Sequence, residues 1–149
     1  MLREKRFLPR QGINVKMRES LSGRLKEVLF SHQNIIFAYI FGSFIHGETF
    51  RDIDVAIFTK GKTDFELESD LSLKLSEVVG FDVEVRGLND APLSFQMAVL
   101  RDGKLLFSRD ENERTNFIER SGQRYREFIH FRNLFLEIAG RKNVVAPES

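Results

Sequence analysis

The sequence predicts an α/β (α+β) domain, a small mixed β-sheet covered by helices, and three observations predict it. Residues 35–41 (IIFAYIF) and 53–59 (IDVAIFT) are short apolar runs rich in β-formers. Residues 81–87 (FDVEVRG) alternate apolar and charged side chains, as a strand with one wet face does. Between and around these runs, apolar residues recur at helical spacing. The interleaving of the two periods argues for helices layered on a sheet rather than for a bundle or a sandwich.

The elements follow in order. Pro9 and Gly12 argue against a helix in the first dozen residues, so residues 1–14 are expected to be a basic arm. From Val15 to Ser31, Leu21, Leu25, Val28 and Leu29 mark one face of a helix. The run 35–41 stops at Gly42 and reads as a buried strand; 53–59 is the next. Thr63-Asp64-Phe65-Glu66 resembles a capping box, opening a helix with Leu67, Leu71, Leu75 and Val78 on one face and its end at Gly80. The strand 81–87 leads through LNDAPLSFQMAVL, a turn into a short helix, to a last short strand, KLLFS. From Asp110 to about Ala139 a long helix is expected to turn Phe117, Phe128, Phe135 and Ile138 inward. The domain therefore spans 15–140, with 141–149 a frayed tail.

Composition narrows the function. The 149 residues are 42% hydrophobic and 30% charged, enough for one core and one domain. Cysteine is absent, which excludes disulfide scaffolding, thiol catalysis and cysteine metal sites. No apolar run approaches the roughly 20 residues that span a bilayer. The start, MLREKRFLPRQG, lacks the apolar core of a secretory signal, so a cytoplasmic setting is expected. A net charge of +1 is too small for a general nucleic-acid coat. Residues 1–30 do carry eight basic against three acidic residues, and the expected reading of that cluster is a solvated face.

The chemistry concentrates in residues 41–58, FGSFIHGETFRDIDVAIF. Gly42-Ser43 follow directly on a buried strand, where backbone N–H groups at the start of a helical turn suit phosphate oxygens. The Ser43 hydroxyl adds a donor. Asp52 and Asp54 alternate with Ile53 at the mouth of the next strand, so both carboxylates share one face. Such a pair repels unless a proton or a cation sits between them. Magnesium is an oxygen-seeking ion held by one or two carboxylates plus substrate phosphates, which makes the pair a candidate metal clamp. His46, in the intervening loop, is expected to be exposed. Arg86 and Arg101 have the charge to reach a triphosphate, while Arg124 and Tyr125 carry no signal of their own.

This segment resembles the signature of the DNA polymerase beta-like nucleotidyltransferase superfamily, in particular its minimal (MNT) branch: Gly42-Ser43, Gly47, then Asp52-Ile53-Asp54-Val55-Ala56-Ile57. The resemblance continues through VEVRGLNDAPLSF and DGKLLFSRD and covers about residues 34–110. Two departures stand out. Eight residues separate Ser43 from Asp52, slightly fewer than is usual in the family, and Arg51 stands where Ser is common.

The resemblance implies a metal-dependent nucleotidyltransferase that binds a nucleoside triphosphate, ATP by expectation, with Mg²⁺. It further implies a third carboxylate on a later strand, as general base or metal ligand. Counting back from Ala91-Pro92 favours Glu84; Asp82 has the family's residue type but sits two residues early. MNT proteins are often paired with a helical HEPN protein as antitoxin and toxin, so a HEPN-like partner is the expected acceptor. The alternatives are a binding module without catalysis and a nucleotidyltransferase for small molecules. A haloacid dehalogenase-like phosphatase also uses Asp-x-Asp, but there the pair follows an apolar strand, and here it precedes one.

Overall fold

The computed structural model describes residues 11–145. The elements are β1 (Gln11–Gly12), α1 (Val15–Phe30), β2 (Ile35–Phe41), α2 (Ser43–His46), β3 (Thr49–Phe50), β4 (Asp52–Thr59), α3 (Phe65–Val79), β5 (Asp82–Gly87), α4 (Leu93–Asp102), β6 (Lys104–Ser108) and α5 (Glu111–Val145). The main sheet has the order β5-β4-β2-β6. β2 runs antiparallel to both β4 and β6, whereas β4 and β5 are parallel and joined through the crossover helix α3. The mixed sheet expected from the sequence is present.

Alternation along the strands divides the core in two. Ile53, Val55, Ile57, Val83 and Val85 face α1 and α3, meeting Leu21, Leu25, Leu29, Leu71, Leu75 and Val79. On the other face Phe37, Tyr39, Ala56 and Phe58 meet Val99 of α4 and Phe117 of α5. Phe37 and Phe58 stack at 4.8 Å, and Phe117 closes on both rings.

Edge strand β5 is covered without a further strand. Val83 N–H donates to Ser76 Oγ (2.8 Å), Val85 N–H to Ser72 Oγ (2.9 Å) and Gly87 N–H to Glu68 Oε2 (2.7 Å). Three α3 side chains four residues apart thus take up the outward donors of the strand, which would otherwise template pairing with another chain.

Several details differ from the sequence reading. The cap of α3 is Asp64, whose carboxylate accepts from Leu67 N–H at 2.8 Å. Thr63 instead bonds Thr59 and Asn89. Val79 rather than Val78 completes the buried face of α3, because 71, 75 and 79 keep a four-residue step. The arm expected over residues 1–14 lies mostly outside the described residues, but Gln11–Gly12 pair with Thr49–Phe50 as a two-stranded ribbon.

The largest difference concerns α5. Gly140 lies inside the helix and has no positive φ, so nothing stops the turn there and the helix continues to Val145. Residues 146–149 of the expected tail lie outside the described residues. Only Phe117 of the four residues expected inward is buried; Phe128, Phe135 and Ile138 are exposed at 51%, 59% and 46%. The reason is length. A 35-residue helix extends roughly 50 Å, whereas the seven-residue β2 beneath it spans about 23 Å.

Candidate active site

Strand register brings the candidate carboxylates together. Asp54 of β4 lies between Phe41 of β2 and Glu84 of β5, and Asp52 lies beside Asp82. Since alternate residues share a face, all four carboxylates sit on the α4/α5 side of the sheet, in two adjacent rows at the end where β4 begins. Neighbouring strands are about 4.8 Å apart, so cross-strand partners are within reach of one ligand. Asp82 is buried and Glu84 is exposed, so of these two Glu84 is the more accessible to an incoming group. Among the described residues no three His, Cys, Asp or Glu side chains already converge on a metal position.

Gly42 and Ser43 meet the pair from β2. Gly42 has φ +85° and ψ −160°, a conformation open essentially to glycine alone. A Cβ built there would fall 2.7 Å from Asp54 Oδ2. The glycine therefore lets the backbone close onto the carboxylate. From Ser43 the chain enters α2, where Ile45 and His46 N–H both donate to Gly42 C=O. The N–H groups of Ser43 and Phe44 precede these first helical bonds, the usual place for an anion.

The segment from Ser43 to Asp52 is shaped rather than loose. Phe44 is fully buried against Phe50, edge to face at 5.0 Å. Gly47 N–H closes the turn on Ser43 C=O at 2.7 Å, and Ile13 N–H bonds Glu48 C=O across the ribbon. Two tethers here were not foreseen. Arg18 of α1 donates through Nε to Phe44 C=O (2.8 Å) and through Nη2 to Gly47 C=O (3.2 Å). His46 is exposed, as expected, but it lies in α2 rather than in a loop, and its Nε2 engages Asp102 C=O at the end of α4, tying α2 to α4. Nothing in residue spacing signals either contact, because both partners are distant backbone carbonyls.

One wall of the cleft is aromatic. Phe41 and Phe95 meet edge to face at 5.4 Å, and the Arg86 guanidinium lies 3.8 Å from the Phe95 ring centroid. Arg86 follows Glu84 on the same strand face, so a stacked, oriented cation borders the carboxylates. Arg51 Nε is buried with no hydrogen-bond partner among the described residues. By contrast, Arg101 is turned to Asp102 at 2.9 Å, well exposed on the outer end of α4.

The Leu88-Asn89 turn beyond β5 is structural. Asn89 accepts from Thr59 N–H (3.0 Å) and donates to the carbonyls of Thr59 (2.7 Å) and Gly61 (2.8 Å). Buried Gln96 adds a donation to Leu88 C=O at 2.8 Å. These bonds fix where β5, and with it Glu84, ends against β4.

A donor set made of carboxylate oxygens, with a glycine cradle beside it, fits a hard divalent cation. An open groove of about 650 Å³ runs along β5 and α3, touching Asp82, Glu84 and Arg86 but neither Asp52 nor Asp54. It is a channel beside the candidate site, not the site itself.

Comparison with known proteins places the chain in a family. The sequence model for the polymerase beta nucleotidyltransferase domain matches residues 24–112. A toxin–antitoxin MntA–HepT structure superposes with TM-score 0.65 at 19% identity, over 80% of this chain and 96% of that one. The structure of a tri-AMPylated Shewanella oneidensis HEPN toxin in complex with MNT antitoxin gives 0.67 at 20% identity, over 80% and 96%. A toxin–antitoxin structure with AMP-PNP gives 0.68 at 22%, over 78% and 95%. No match was found among curated proteins.

Proposed function

The chain belongs to the polymerase beta nucleotidyltransferase family, and we propose that it moves AMP from ATP to a hydroxyl on a partner protein, a helical HEPN-like toxin. One arrangement supports this reading above the others: the Gly42-Ser43 turn laid directly against Asp54, with Glu84 in the adjoining register position. A phosphate-binding turn, a metal clamp and a base then adjoin across three neighbouring strands.

Asp52 and Asp54 would hold Mg²⁺, with Glu84 as a further ligand or as the base. The ion would neutralise phosphate charge and polarise the α-phosphoryl group. The Ser43 and Phe44 N–H groups and the Ser43 hydroxyl receive phosphate oxygens, fixing the triphosphate along the start of α2. Arg86, oriented by Phe95, supplies positive charge on the opposite side of the carboxylates. The acceptor oxygen forms a bond to the α-phosphorus as the bridging bond to the β-phosphate breaks. Pyrophosphate leaves, and the hydroxyl proton passes to Glu84. No second lobe encloses the acceptor among the described residues, so the open cleft suits a hydroxyl presented on another protein's loop or tail. The similar structure of a tri-AMPylated HEPN toxin in complex with MNT antitoxin favours the same acceptor class.

A second reading, neutralisation by binding without transfer, draws support from Arg51. It places a cation next to Asp52 in the chain, and a neighbouring positive charge lessens the carboxylate repulsion that a bound metal would otherwise relieve.

The test incubates the protein with Mg²⁺, α-labelled ATP and the helical product of the adjacent gene, followed by intact masses. An adenylyl-sized increase on the partner, lost with Asp54→Asn, is the expected result. Tight complex formation without a mass change would select the binding module, and label on small molecules alone would overturn the protein acceptor. Calorimetry with Mg²⁺-ATP checks the site independently: Asp52→Asn and Asp54→Asn each abolish binding, while the melting temperature holds.

A further inference from the structure

The part of α5 that overshoots the sheet exposes Tyr125 (37%), Phe128 (51%), Phe131 (66%), Leu134 (47%), Phe135 (59%), Leu136 (56%) and Ile138 (46%). Their placement is ordered. At 100° per residue, Phe128, Phe131, Phe135 and Ile138 lie within about 60° of the direction of Phe117. Phe117 is packed into the core, and Ser121, one turn on, is buried and bonded to Gln96 of α4. The face that α5 lays on the domain therefore continues straight out past the domain's end, with the same inward chemistry and these side chains left exposed among the described residues. The steps 128, 131, 135, 138 alternate three and four residues, the spacing of a seam that takes another helix.

We propose that this overhang is a homodimer interface, in which the α5 helices of two copies pair antiparallel with Phe131 of one opposite Phe135 of the other. Area supports a second copy. At about 200 Å² per aromatic ring, the three phenylalanines alone expose roughly 350 Å². With the flanking aliphatic side chains the stripe reaches roughly 600 Å² per copy, the upper end of what monomers leave uncovered. Two such stripes bury about 1,200 Å², the lower bound for a specific, stable interface. An isologous pair needs no other partner, because each stripe meets its own sequence reversed. The domain itself requires the antiparallel sense: it lies on this same face of α5 at Phe117 and Ser121, so parallel pairing would put two domains in one place, and reversal sets them at opposite ends. The solved neighbours are matched over 95–96% of their own length but leave about a fifth of this chain unmatched.

The absence of cysteine makes the test clean. Light scattering on the full-length wild type should give twice 17.3 kDa, and Phe128→Glu/Phe135→Glu should give 17.3 kDa with unchanged helix content and unchanged Mg²⁺-ATP binding. Under mild oxidation Phe131→Cys/Phe135→Cys should form a disulfide-linked dimer, because each position meets the other across the antiparallel pair. Ile138→Cys should not, because it lies opposite Phe128 and its two copies are about 15 Å apart along the axis. A wild type that is monomeric at every soluble concentration overturns the proposal, as does efficient crosslinking at 138 alone without crosslinking of the 131/135 pair. A chain that is monomeric alone but binds a helical partner, with that binding lost in the double Glu variant, assigns the stripe to the partner and also overturns it. Nucleotide binding is read separately in each sample, so failure of the dimer leaves the transferase reading standing, and the converse.

Discussion

Gly42→Ala isolates the contact on which the candidate site depends. The substitution acts twice. It forces alanine into φ +85°, ψ −160°, a region that costs a non-glycine residue about 1–3 kcal/mol. It also places a methyl group 2.7 Å from Asp54 Oδ2, so the carboxylate must turn away. A combined loss of roughly 2–3 kcal/mol lowers the melting temperature by about 5–10 °C in a domain of this size. Displacing Asp54 also weakens Mg²⁺-ATP binding, by roughly tenfold or more. Adding Asp54→Ala separates the two effects, because it removes the clashing atom and leaves the backbone strain. The stability cost of Gly42→Ala should then shrink by about 0.5 kcal/mol or more, the size of coupling expected between touching residues. Melts of the four proteins and calorimetry on Gly42→Ala provide the data. A Gly42→Ala variant that melts with the wild type and binds nucleotide equally well would refute both the strain and the approach to Asp54.

The third carboxylate and the start of α5 give two more predictions. Glu84→Gln should lower transfer by roughly 100-fold or more with little change in nucleotide affinity, as expected for a general base, while exposure and register predict a smaller effect for Asp82→Asn; the reverse order in a transfer assay would move the role to Asp82. The Arg114 guanidinium holds the Glu111 carboxyl down to about 2, from an ordinary value of 4.5. A depressed carboxyl contributes stability above its unfolded pKa and loses it as pH falls through the folded one. The melting deficit of Glu111→Gln should therefore be small and constant near neutrality, and should vanish between about pH 4.5 and 2; a deficit that persists at the acid end would contradict the ion pair.

What could be read from the sequence was local. The strand at 35–41, the Gly42-Ser43 break after it and the Asp-x-Asp at the mouth of the next strand each follow from neighbouring residues, and the structure has all three in that order. Counting favoured Glu84 over Asp82, and the register sets Glu84 beside Asp54 and Asp82 beside Asp52. The missing features depend on distant partners. Arg18 was one charge in a basic cluster until the fold brought Phe44 and Gly47 carbonyls to it. The two-residue strands β1 and β3 are too short to carry a period at all. Thr63 had the right type for a cap, but Asn89 and Thr59 compete for its hydroxyl. Helical spacing placed Phe128, Phe135 and Ile138 on one face correctly; it could not say where the sheet beneath them ends.

The ladder of Glu68, Ser72 and Ser76 along β5 depends on a coincidence of two pitches. Four helical residues advance about 6 Å, and two strand residues advance about 6.6 Å, so the two scales stay in step over three contacts. The helix therefore works as a vernier on the strand: a slide of one turn would leave a strand amide facing no acceptor at one end. That locks the axial position of β5, and so of Glu84, to a helix that does not touch the candidate chemistry. The same lock closes this border of the sheet to strand addition, so any assembly on that side must rest on side-chain contacts rather than on backbone pairing.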